Sequence, residues 1–192
     1  MHKVKPIILI YGFRKFEHYS SNISESVIAA LPKSAGVVTT IFDVEFDSEM
    51  FKKKFDTTHP EFIIGLGQHS RAHKIRIERR AQNLMRPGRK PPGRPIERNQ
   101  RQTVISNLSL PVCAGTTLTY DAGTYVCNYS MWQTYRWCQQ HSAYWAFLHI
   151  PQRGNILEVV EYIKKICEMI KRAREQFSEV GRPSVTRLSA PC

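Results

Sequence analysis

The sequence predicts a single-domain α/β protein, a three-layer α/β/α sandwich around a mostly parallel or mixed sheet. Three observations predict it. Short apolar runs that read as buried strands alternate along the chain with helical patterns. The last helical segment repeats apolar residues at 156, 159, 160, 163, 166, 167 and 170, which packs one face against a sheet. A chain of 192 residues with 42% apolar content is long enough for one domain with a full core.

Pro6 to Tyr11 is a continuous apolar run ended by Gly12, and reads as the first strand. Ser21 or Asn22 caps a helix running to about Leu31, with Glu25 at capping-box distance from Asn22 and Pro32 as the stop. Gly36 to Val44, rich in Val, Ile and Thr, reads as the second strand, and Asp47 or Ser48 opens a short helix ending near Phe55. Phe62 to Gly67 is the third buried strand. Lys74 to Arg79 alternates polar and apolar residues, the pattern of a strand with one wet face. Residues 86–101 are crowded with proline, glycine and basic side chains; no core can be built from them, and they read as a loop. Thr103 to Leu108 and Leu110 to Ala114 read as short strands. Thr124 caps a helix to about His141, and Tyr144 to Ile150 is a strand closed by Pro151. Asn155 begins the last helix. The domain is expected to span 1–180, with a polar, frayed tail at 181–192.

Composition narrows the function. No apolar run approaches the roughly 20 residues of a membrane span. Met1 to Lys5 leads straight into Ile7 to Ile10, without the longer apolar stretch and cleavage site of a secretory signal, so a cytoplasmic protein with no membrane contact is expected. Five cysteines, at 113, 127, 138, 167 and 192, form no Cys-x-x-Cys pair and no zinc spacing, and their odd number argues against a disulfide framework. His69 and His73 lack a carboxylate to complete a zinc pattern, and Gly65-Leu66-Gly67 lacks the third glycine and acidic partner of a dinucleotide site. No metal or cofactor is expected. The formal charge is +12, and between Arg71 and Arg101 eleven Lys or Arg residues meet only two acids, Glu78 and Glu97. Such a segment either attracts phosphates and acidic peptides or keeps a loop solvated.

Three stretches carry chemistry. Ala-Gly-Thr leads into Tyr125-Val126-Cys127-Asn128, placing a thiol in the first turn of the helix after a glycine turn. There, unpaired N–H groups and the helix dipole favour a thiolate and offer hydrogen bonds to an oxyanion. Phe147-Leu148-His149-Ile150-Pro151 puts a histidine at the end of a strand, where α/β sheets present ligand-facing residues. Taken alone, that histidine reads as a core residue; paired with Cys127 it reads as a base. Ile77-Glu78-Arg79-Arg80 supplies a carboxylate to hold the imidazole tautomer, although in isolation it reads as an ion-paired surface acid.

Glu78, Cys127 and His149 resemble the Glu, Cys and His triad of the pyroglutamyl peptidases, also called pyrrolidone-carboxylate peptidases. The motifs are Ile-Glu-Arg-Arg-Ala-Gln-Asn, Asp-Ala-Gly-Thr-Tyr-Val-Cys-Asn-Tyr and Phe-Leu-His-Ile-Pro, in the family's order. The resemblance implies a twisted mixed sheet and a cysteine exopeptidase with no metal or cofactor. That enzyme cleaves the amide bond after an N-terminal pyroglutamyl residue of peptides through a thioacyl-enzyme, and assembles as a tetramer or dimer. It also implies that Phe13 and Phe16, in Gly12-Phe13-Arg14-Lys15-Phe16, face the lactam ring. Asn22 falls at the spacing of the family's Asn-Pro, Gln68 at that of a pocket glutamine, and Tyr125 and Val126 line the pocket beside the nucleophile. The chain departs from the family at Glu17-His18, where the family has Gly-Gly, and at Ile23, where it has Pro. The segment between the Glu and Cys motifs is shortened, with Asn107 to Pro111 as its remnant, and Arg86 and Arg89 are both candidates for an arginine near the oxyanion. These departures bear on substrate choice. They leave two alternatives open: an amidase for another acyl cap, or an altered member that binds RNA or another polyanion through its basic loop.

Overall fold

Period-2 alternation in the strands splits the core into two halves, one on each face of a six-stranded sheet. The structure, a computed structural model, describes residues 8–16, 20–88 and 92–180. The tail at 181–192, Glu17-His18 and Arg89 therefore lie outside the described residues. Along the chain the elements are β1 (Ile8–Phe13), α1 (Ile23–Ala30), β2 (Val37–Phe42), α2 (Ser48–Thr58), β3 (Phe62–His69), β4 (Ile75–Glu78), β5 (Arg80–Gln82), β6 (Thr103–Ile105), β7 (Thr116–Thr119), α3 (Val126–His141), β8 (Tyr144–Pro151) and α4 (Ile156–Val180). The sheet order is β2-β1-β3-β8-β4-β7, and β5 pairs with β6 in a separate two-stranded ribbon. Every neighbour pair in the main sheet is parallel except β8 with β4. The sheet is thus mixed and mostly parallel, as the sequence predicts.

Ile8 and Ile10 of β1, Ile64 and Leu66 of β3, and Leu148 and Ile150 of β8 join Val27 of α1 and Ile163 and Ile166 of α4. On the other face Leu9, Tyr11, Ile63, Trp145 and Phe147 join Phe51 and Phe55 of α2 and Met131 and Trp132 of α3. Each such side chain withdrawn from water contributes about 1.5–3 kcal/mol, enough to fix which strand face meets which helix pair. Among the described residues no helix is long and apolar enough to cross a membrane.

Several boundaries differ from the sequence reading, each for a local reason. β1 continues through Gly12 to Phe13, because Gly12 serves a close approach and not a turn: a Cβ there would stand 2.9 Å from the Ser24 carbonyl oxygen of α1. Asn22 caps α1 by accepting from Ser24 N–H at 3.0 Å, but Glu25 does not close a capping box; its Oε2 accepts from Lys15 N–H at 3.2 Å. Leu110 to Ala114 is not a strand. Thr116 closes a turn onto Cys113, and Tyr162 of α4 donates to the Pro111 carbonyl at 2.7 Å, so the strand forms one turn later, as β7. Asn107 instead bonds the edge of β8, accepting from Trp145 N–H and donating to the Ala143 carbonyl. The α3 cap is Tyr125, not Thr124, with no side-chain cap bond. The basic loop is tied down: Met85 pairs with Arg94, and the Asn83 amide both donates to and accepts from the Glu97 backbone. Cys127, Cys138 and Cys167 are free thiols, whereas Cys113 is disulfide-bonded, against the expectation from the odd count.

Candidate active site

The strand alternation that builds the core also delivers the site. With Ile64, Leu66, Ile75, Ile77, Leu148 and Ile150 facing α1 and α4, the intervening residues Gly67, Arg76, Glu78 and His149 face α3. Register sets Gly67 beside His149 and Arg76 across from it. Cys127 is the second residue of α3. The first intrahelical bond runs from Tyr129 N–H to the Tyr125 carbonyl, so the N–H groups of Val126, Cys127 and Asn128 have no partner within the helix. Gly67 lets this helix end close on the sheet: a Cβ there would lie 2.7 Å from Cys127 Sγ and 3.1 Å from His149 Cδ2.

His149, 3% exposed, links sulfur to carboxylate. Its Nδ1 lies 2.8 Å from Glu78 Oε1, and the ring is also hydrogen-bonded to Cys127, which assigns Nε2 to the sulfur. Burial is the strongest influence on this imidazole and opposes its charge. The Cys127 thiolate and the Glu78 carboxylate together outweigh burial and raise His149 from its usual 6.5 to about 9. Glu78 is fully buried and its oxygens are occupied: Oε1 also accepts from Arg76 Nε at 3.0 Å, and Oε2 accepts from the Thr119 hydroxyl. The arrangement can hold a thiolate–imidazolium pair and move one proton between sulfur, ring and ligand.

The sulfur and the imidazole open into a cavity of about 550 Å³, and Phe13, Phe16, Asn22, Gln68, Tyr125 and Val126 all line it. The structure therefore brings together all nine candidate residues, eight at the cavity wall and Glu78 behind His149. Phe16 and Tyr125 face each other with ring centres 5.8 Å apart. Asn22 uses its amide structurally, donating to the Arg14 carbonyl and accepting from Ser24. Gln68 Oε1 accepts from Ile23 N–H at 3.0 Å, and its amide nitrogen has no partner among the described residues. Among the described residues no group of three His, Cys, Asp or Glu is placed to hold a metal.

Of the two arginines expected near the oxyanion, Arg86 is described and does not line the cavity. Arg86 is exposed and contributes a backbone N–H to the Thr124 carbonyl, and Arg89 is outside the described residues. Among the described residues the cavity arginines are Arg71 and Arg76. Sequence reasoning missed three supporting groups. Arg76 braces Glu78; its i, i+2 spacing on a strand was the available signal. Thr119 is the register partner of Glu78 on a strand that was not foreseen. Asn128 is fully buried; it accepts from Gln82 N–H and donates to the Gln82 and Leu84 carbonyls, each at 2.8 Å, fixing the end of α3.

Comparison with known proteins gives one answer. A sequence model of the family described as pyroglutamyl peptidase matches residues 6–161. The chain is 24% identical over 164 residues to pyrrolidone-carboxylate peptidase 1 of Saccharolobus solfataricus, covering 75% of this chain and 78% of that one. It is 25% identical over 166 residues to the pyrrolidone-carboxylate peptidase of Thermococcus litoralis, covering 75% and 76%. In fold it is similar to the solved pyrrolidone carboxyl peptidase from Thermococcus litoralis, with a TM-score of 0.75 at 21% identity over 97% of this chain and 100% of that one. It is also similar to pyroglutamyl peptidase I from Bacillus amyloliquefaciens, with a TM-score of 0.73 at 21% identity over 84% and 92%.

Proposed function

Because the chain belongs to the pyroglutamyl peptidase family, we propose that it is a cysteine omega-peptidase that removes N-terminal pyroglutamyl residues from peptides, with Cys127 as nucleophile, His149 as acid and base, and Glu78 as the group that orients His149. The observation that carries this reading is the continuous hydrogen-bonded line from Cys127 through His149 to Glu78, opening into an aromatic cavity. A small, planar, uncharged lactam suits that cavity: Phe13, Phe16 and Tyr125 supply its apolar walls, and the Gln68 amide nitrogen is a donor for the ring carbonyl.

The steps balance with these groups alone. The Cys127 thiolate attacks the pyroglutamyl carbonyl carbon, and the resulting oxyanion is stabilised by the unpaired N–H groups at the start of α3. The C–N bond breaks as the His149 imidazolium gives its proton to the leaving amine, leaving a thioacyl-enzyme and a neutral imidazole. His149 then takes a proton from water, the hydroxide oxygen adds to the thioester, and the C–S bond breaks to restore the thiolate–imidazolium pair and release pyroglutamic acid, which gives its proton to solvent. Glu78 holds Nδ1–H throughout and stabilises the charged ring.

The test is hydrolysis of a chromogenic pyroglutamyl amide under reducing conditions. The wild-type protein turns over, and Cys127→Ala loses activity by at least about a thousandfold. A wild-type rate equal to that of Cys127→Ala removes the reading. The basic segment from Arg71 to Arg101 supports a polyanion-binding role less than its composition suggests. Arg76 is bonded to Glu78, and Arg79 turns inward to the Ser106 and Leu108 carbonyls.

A further inference from the structure

The two cavity arginines differ in what they leave for a ligand. Arg76 has every side-chain nitrogen engaged: Nε with Glu78 Oε1 at 3.0 Å, one terminal nitrogen with His69 Nε2 at 3.0 Å, and the other with the Asp121 carbonyl at 2.9 Å. Arg71, in the turn after β3, is exposed, and among the described residues its guanidinium has no hydrogen-bond or ion-pair partner. Among the described residues no Asp or Glu lines the cavity, and the one anion there, the Cys127 thiolate, is paired with His149.

In the pyroglutamyl peptidase reading the lactam ring packs on Phe13, Phe16 and Tyr125, and His149, which gives the leaving amine its proton, stands on the other side of the scissile bond. His69 continues that side: its ring lies edge-on to His149 with centres 5.3 Å apart, and its Nδ1 accepts from the Arg71 backbone N–H at 3.3 Å. Burial, then the charges of His149, Arg76 and Arg71, hold His69 below its usual range, so it adds no competing cation. His69, Ser70 and Arg71 thus form the stretch of cavity wall that adjoins His149.

Resting on the pyroglutamyl peptidase reading, we propose that Arg71 forms a subsite for a carboxylate on the leaving-group side of the scissile bond, which makes acidic pyroglutamyl peptides the preferred substrates. The carboxylate is either the side chain of the residue after pyroglutamate or the free C-terminus of a dipeptide. The guanidinium fork matches both.

The experiment compares kcat/KM for four peptides: pyroglutamyl-alanine amide, pyroglutamyl-glutamate amide, free-acid pyroglutamyl-alanine and pyroglutamyl-lysine amide. An exposed pairing of this kind is worth up to about fivefold. The wild-type protein should favour at least one acidic peptide over the neutral amide by about that factor and disfavour the lysine peptide. The preference should shrink in 1 M salt, where exposed charges are screened. Whichever acidic peptide gains identifies the source of the carboxylate. Arg71→Gln should level the acidic-to-neutral ratio, and Arg71→Glu should invert the ranking of glutamate and lysine peptides. Equal rates for acidic and neutral peptides, or a preference that survives both variants, overturns the subsite while leaving the peptidase reading intact. No hydrolysis of any pyroglutamyl peptide overturns both.

Discussion

His149 sets the charge state of the site. Burial works against its proton, and the neighbouring sulfur and carboxylate hold it on, so the ring is raised to about 9 and is charged at neutral pH. In the proposed mechanism the leaving amine takes that proton, so kcat/KM should fall above an alkaline limb near 9, a value belonging to the coupled pair. Glu78→Gln removes the carboxylate charge that helps raise the ring and leaves at most a neutral hydrogen bond in its place. A pH–rate profile of that variant should show the limb moved down toward neutrality, with kcat lower by on the order of a hundredfold. A limb left in place would assign the alkaline ionisation to another group. Cys127, His149 and Glu78 were legible in the sequence because each sits in a local motif whose chemistry needs that residue type. Thr119 and Asn128 were not. Thr119 matters only because strand register sets it opposite Glu78, and Asn128 because the 82–84 backbone passes its amide.

At the scale of elements, the site is where α3 comes down on the ends of β3 and β8. Gly67 sets that spacing, so Gly67→Ala must push the Cys127 sulfur off its line to His149. A displacement of about 1 Å lowers rates by on the order of a hundredfold. The variant should therefore lose kcat while its melting temperature changes little beyond what an added methyl strains. Unchanged turnover would show that the contact between helix and strand is looser than the Gly67 geometry implies. The large elements were readable because their apolar residues repeat with period 2 or 3.6. β7 was not, because Thr116–Thr119 is short and polar and owes its place to pairing with β4. Thr124 looked like a cap by residue type, yet Tyr125 occupies that position and leaves the N–H groups of the first turn open, which suits an anion-binding end.

Across the whole molecule, the basic segment that dominates the composition is partly internal. Arg76 and Arg79 bond inward, Arg136 pairs with Glu97 at 3.0 Å, and the Asn83 amide brackets the Glu97 backbone. A sum of like charges cannot reveal this, because it does not say which side chains a fold consumes. Asn83→Ala deletes both brackets, a loss of about 1–3 kcal/mol that lowers the melting temperature by several degrees. Limited proteolysis should then cut within 86–101 faster than in the wild type; equal cleavage would mean that other contacts hold the loop. The proposed activity depends on covalent chemistry at one sulfur. Its most direct test is the mass of enzyme quenched in acid during turnover of a pyroglutamyl ester, followed by mapping of the modified peptide. The expected result is one pyroglutamyl group on the peptide carrying Cys127, absent from Cys127→Ala. Turnover with no such adduct, or an adduct that persists in Cys127→Ala, would contradict the account.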